Sequence, residues 1–123
     1  MTSNREAFIQ EFSEAFGRGD TDHVAATITD DIRWHVVGSE RVEGKDAVVT
    51  ALQSQFADST SELSINHIIS HGKNVAVNGT LKIRPHSGDV KTYAFCHIID
   101  LSGFKNALVK QITTYQIEIK PST

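Results

Sequence analysis

The chain has one cysteine, Cys96, among its 123 residues, so no internal disulfide holds it together. A single free thiol fits a reducing compartment. Proline is almost absent, with two in the chain, and nothing resembles a proline- or glycine-rich linker. No apolar run approaches the ~18 residues that a membrane span requires, and none follows Met1–Arg5 that has the form of a signal core. Neither charge sign dominates. Fifteen acidic against twelve basic side chains give a net charge of -3, and the lysines and arginines are scattered, which argues against nucleic acid as a partner.

What remains is ordinary globular material. Hydrophobic residues make up 39% and charged residues 22%, enough apolar surface to fold without metal or cross-link. The expectation is one cytoplasmic domain over residues 1–123.

Helical spacing dominates the first third. Phe8, Phe12, Ala15 and Phe16 form an apolar stripe, Ser3 to Glu6 has the form of a capping box, and Gly17 and Gly19 end the helix. Asp20 caps a short second helix through Val24, Ala25 and Ile28. Ile32–Val37 reads as a strand, and a third helix follows Gly44 with Val48, Ala51, Leu52 and Phe56 on one side. The rest alternates as strands: Glu62–His71, Val75–Pro85, Val90–Leu101 and Ala107–Lys120. Short turns between them predict antiparallel pairing and an α+β fold.

Short motifs with attractive chemistry fail on geometry. His67 and His71 lie on a strand, where four residues span roughly 13 Å, too far for one zinc ion with bonds near 2 Å. The Gly38–Lys45 loop lacks phosphate-loop spacing and carries Asp46 where a hydroxyl is needed. Cys96 neighbours His97, but adjacent strand residues point to opposite faces, so they form no nucleophile pair. No metal or cofactor is expected.

The order of elements, together with Thr29–Glu40, the Gly44–Ala47 helix start, and Phe95–Leu101 leading to Gln111–Tyr115, resembles the nuclear transport factor 2-like superfamily. Within it the ketosteroid isomerase and polyketide cyclase branch is the nearest in pattern. The resemblance implies three helices packed in a strongly bent antiparallel sheet, a cone-shaped α+β barrel, without an obligatory cofactor. It also implies a homodimer, which apolar residues on both faces of several strands independently favour.

Counting from Gly38, the isomerase base falls on His35. The late-strand acid aligns with His97, and the first-helix tyrosine falls on Phe12. Two imidazoles therefore replace two carboxylates. On this reading His35 is the catalytic base and His97 the donor to a developing oxyanion. Phe12, Phe16 and Phe56 wall the pocket, and alternation adds Tyr93, Phe95 and Ile99 beside His97. Trp34 is read as packing or a dimer contact, and Tyr115 as core or interface. The expected function is proton transfer on a small apolar carbonyl compound. The alternative is a non-catalytic ligand-binding or protein-docking module of the same fold.

Overall fold

A computed structural model describes residues 4–120. The apolar stripe of the first segment forms helix α1, Asn4–Arg18, and buries Ile9, Phe12, Ala15 and Phe16. Gly19 ends it at a positive φ of 72°, with the Phe56 ring so close that a Cβ would meet it at 2.8 Å. Asp20 then caps α2, Thr21–Thr27, by accepting from the His23 amide at 3.3 Å. The capping box at Ser3–Glu6 begins outside the described residues.

Strand β1, Ile28–Val36, starts earlier than its sequence suggested, and Ile28 is its first residue. The cause is tertiary: Ile28 pairs with Val109 on the last strand. A tight turn leads to β2, Arg41–Glu43, and Gly44 opens helix α3, Lys45–Phe56. Four long strands follow: β3 Ser59–His71, β4 Asn74–Pro85, β5 Lys91–Leu101 and β6 Val109–Ile119.

The six strands form one curled sheet in the order β2-β1-β6-β5-β4-β3. The expected antiparallel pairing holds from β3 to β6, but β1 runs parallel to β6. The sheet is therefore mixed. Its α+β class and conical shape stand as the resemblance implied.

Curvature has a local source. Ile65 pairs with Gly79 and His67 with Asn78, leaving Asn66 as an extra residue. Such a bulge bends a strand and sharpens its twist. It also switches faces: Leu63 and Ile65 pack inward before it, and Ile68 packs inward after it.

The three helices fill the concave side. Ile9, Phe12 and Phe16 meet Ile32, Trp34, Val77, Phe95, Ile99 and Ile112 in one core. Among the described residues no helix is long and apolar enough to cross a membrane.

Candidate functional site

Alternation along β1 decides what reaches the cone's interior. Ile32 and Trp34 are buried, and Val36 packs on the core, whereas Arg33 is exposed and His35 half-buried. From Ile32 to Val36 the even-numbered side chains face inward and the odd-numbered ones outward. On β5 the inward set is Phe95, His97, Ile99 and Leu101, of which all but His97 are buried.

His97 sits opposite Thr114 in the β5–β6 register, and its Nδ1 lies 2.8 Å from the Thr114 hydroxyl. The Trp34 indole N–H donates to that same hydroxyl at 2.9 Å. Indole is a donor only, so the oxygen accepts from Trp34, and its own proton has Nδ1 as an acceptor. With Nδ1 accepting that proton, the neutral imidazole carries its hydrogen on Nε2. Phe16 stands edge-on to His97 at 5.6 Å between ring centroids, and Phe95 lies 4.7 Å away on its own strand. Burial among these rings lowers the His97 pKa from 6.5 to about 4, so the ring is neutral at pH 7.

The ring opens on a narrow neck of about 20 Å³ lined by Ser13, Phe16, Phe56, Leu63 and Phe95. That volume suits about one water-sized atom group. Ser13 is 4% exposed, and its hydroxyl has no partner there. Adjoining the neck is a mouth of about 500 Å³ lined by Val36, Glu40, Val42, Ala51 and Ser54. Trp34, Gln55 and Gln116 line both cavities. The mouth alone falls within the size range of small-molecule sites.

The sequence-derived site is brought together only in part. Phe16, Phe56, Phe95 and His97 line the neck. Phe12 and Ile99 are fully buried core, with Phe12 stacked behind Phe16 at 5.6 Å. Tyr93 is half-buried opposite Leu81 and outside the neck lining. His35 does not share the cavity. It lies on the outer face of the sheet in a cleft with Arg33, Arg41, Glu43 and Gln111. The two imidazoles are therefore on opposite sides of the sheet. Ser13, Trp34, Gln55, Thr114 and Gln116 had no place in the pocket read from sequence.

The outer face carries one apolar patch. A trough of about 600 Å³ crosses β3–β6 there, lined by Ile69, Ala76, Ala94, Cys96, Tyr115 and Ile117, with the polar His67, Asn78 and Gln116 among them.

Comparisons with known proteins agree with this architecture. The family model described as the SnoaL-like domain matches residues 9–107. A proposed SnoaL-like polyketide cyclase from Shewanella denitrificans superposes with a TM-score of 0.79 at 10% identity, covering 91% of this chain and 89% of that one. An LEH-like epoxide hydrolase from M. tuberculosis gives 0.76 at 20% identity, with 90% and 80% covered. An NTF2-like protein of unknown function from Burkholderia pseudomallei gives 0.73 at 24% identity, with 92% and 90% covered. No curated protein matches by sequence.

Proposed function

The chain belongs to the SnoaL-like domain family, and we propose that it binds a small apolar molecule in the mouth of its cone, anchored at His97 through a carbonyl or hydroxyl oxygen. The observation that carries this reading is the neutral His97 ring at the floor of an aromatic neck. Nδ1 is engaged by Thr114, and on this reading it is the acceptor, which puts the ring's hydrogen on Nε2 and turns it toward the neck. The unpartnered Ser13 hydroxyl lines the same neck and supplies a second polar contact. Leu63, Phe16, Phe56 and Phe95 favour an apolar frame around that oxygen.

Binding takes precedence over proton abstraction for two reasons. The proposed base, His35, is outside the cavity. The imidazole that is inside has a pKa near 4, well below the operating range of a general base at neutral pH. A neutral ring is suited instead to donating a hydrogen bond. A catalytic reading, proton transfer of the isomerase or cyclase kind, rests on Glu40, the carboxylate that lines the mouth. It requires turnover that is abolished in Glu40→Gln with ligand binding retained.

The test of the binding reading is a thermal-shift and calorimetric screen of cyclic ketones and alcohols beside their oxygen-free analogues. The oxygenated compounds raise the melting temperature of the native protein, and His97→Phe erases the preference. Equal binding of both classes, or full preference in His97→Phe, refutes the reading.

The outer trough supports a homodimer. Its lining carries no Asp, Glu, Lys or Arg, and Ile69 and Ile117 are 64% and 70% exposed. An apolar sheet face meeting its own copy buries these side chains in an isologous contact.

A further inference from the structure

His35 belongs to a site of different character from the cone's interior. On the outer face of β1 and β2, Arg33 stands opposite Glu43 and His35 opposite Arg41. On the other side of β1, Gln111 of β6 pairs with Arg33, and Thr113 pairs with His35. Arg33, His35, Arg41, Glu43 and Gln111 line a cleft of about 230 Å³. Diagonal neighbours in such a ladder have side chains about 7–8 Å apart, so both guanidinium groups reach the same space above His35.

The charges there are not resolved within the protein. Neither arginine side chain makes a hydrogen bond or ion pair with a described residue, and the side chains of His35 and Glu43 make none either. Three other cations are paired, Arg18 with Asp20, Lys45 with Asp30 and Arg84 with Glu62, whereas Arg33 and Arg41 share one cleft without such a partner among the described residues. The two arginines and Glu43 leave one positive charge in excess, on a molecule whose net charge is -3. Arg33 and Arg41 are diagonal neighbours, close enough for one oxyanion to join them. Guanidinium groups held on strands are also well suited to grip an oxyanion in a bidentate manner.

We propose that this cleft is a second ligand site, which binds the phosphate or carboxylate group of a small molecule. Arg33 and Arg41 grip the oxyanion, His35 and the Gln111 amide donate further hydrogen bonds, and Glu43 bounds the cleft as an acceptor for a hydroxyl on the ligand. The cleft shares Trp34 and Val42 with the mouth of the cone, but its charged side chains belong to the outward-facing positions of β1 and β2.

The test is a nuclear magnetic resonance titration of the full chain with inorganic phosphate and, in a second arm, with succinate. Sodium chloride at matched ionic strength is the control. Saturable shifts in the amides of residues 33–43 and 111 are expected in at least one arm, and the arm that saturates identifies the oxyanion. Each single replacement, Arg33→Gln or Arg41→Gln, weakens binding about tenfold, the effect of removing one charged hydrogen-bond donor. The lysine variants Arg33→Lys and Arg41→Lys retain charge without the planar fork and bind with intermediate strength. Melting temperatures without ligand verify that every variant is folded. Shifts no different from those in chloride in both arms, or saturation undiminished in Arg33→Gln/Arg41→Gln, overturn the proposal.

Discussion

Thr114 serves two partners with one hydroxyl, taking a hydrogen bond from Trp34 and engaging Nδ1 of His97. Thr114→Val keeps the shape and removes both contacts, leaving a buried indole N–H unsatisfied. The expected cost is about 1–3 kcal/mol in chemical denaturation. His97 adds a dependence on pH. Its pKa is 6.5 when unfolded and about 4 when folded, so between these values the unfolded chain binds a proton that the folded chain refuses. Stability therefore falls as pH drops from 6.5 toward 4, by up to about 3 kcal/mol. Urea titrations across that window show a shallower fall for His97→Gln if the assignment is right, and an identical fall if it is wrong. Sequence carried more about this site than the family comparison extracted. Ile32, Trp34 and Val36 form a period-two apolar set, which already turns His35 outward, and counting back from Gly38 overrode that signal. Ser13 was hidden for another reason: a serine on a helix gives no sign that its hydroxyl lacks a partner.

Elements were legible where the cause was local. The glycine stop after α1, the Asp20 cap and the turn at Gly72 all depend on residues close in sequence. The parallel pairing of β1 with β6 is not local, since Trp34 meets Ile112 across 78 positions, and no periodicity announces the direction of a neighbour. The bulge at Asn66 was equally invisible, although a bulge bends its strand and sharpens the twist. Gly79 is the residue that admits it. A Cβ at that position stands 2.0 Å from the Ser64 carbonyl oxygen, which is backbone and cannot swing aside. Gly79→Ala therefore forces β3 and β4 apart at the bend. The expected loss is toward the upper end of about 1–3 kcal/mol, the usual range for overpacking, and a denaturant midpoint measures it. An alanine variant as stable as the native chain shows that the bend opens without strain.

At the scale of the molecule, the two sheet faces have divided the work. The concave face uses the helices to cover its apolar residues, while the convex face leaves Ile69, Tyr115, Ile117 and Ile119 in water. Across the strands one outward row runs Ile69, Ala76, Ile98, Thr113, His35 and Arg41, apolar at one end and cationic at the other. A second copy docked on the apolar end leaves the Arg33–Arg41 cleft at the rim of the contact, where a small anion keeps its access. Ile117→Asp puts a charge into the apolar trough, and two symmetry-related charges would be buried together in the dimer. Burying unpaired charge costs far more than the apolar contact of one isoleucine returns. Sedimentation velocity is expected to give a dimer for the native protein and a monomer for Ile117→Asp, with circular dichroism unchanged. The variant retains its preference for oxygenated ligands, because His97 and its neck lie on the opposite face of the sheet. A native chain that sediments as a monomer at micromolar concentration removes the dimer. The trough would then be an apolar surface without its own copy as occupant.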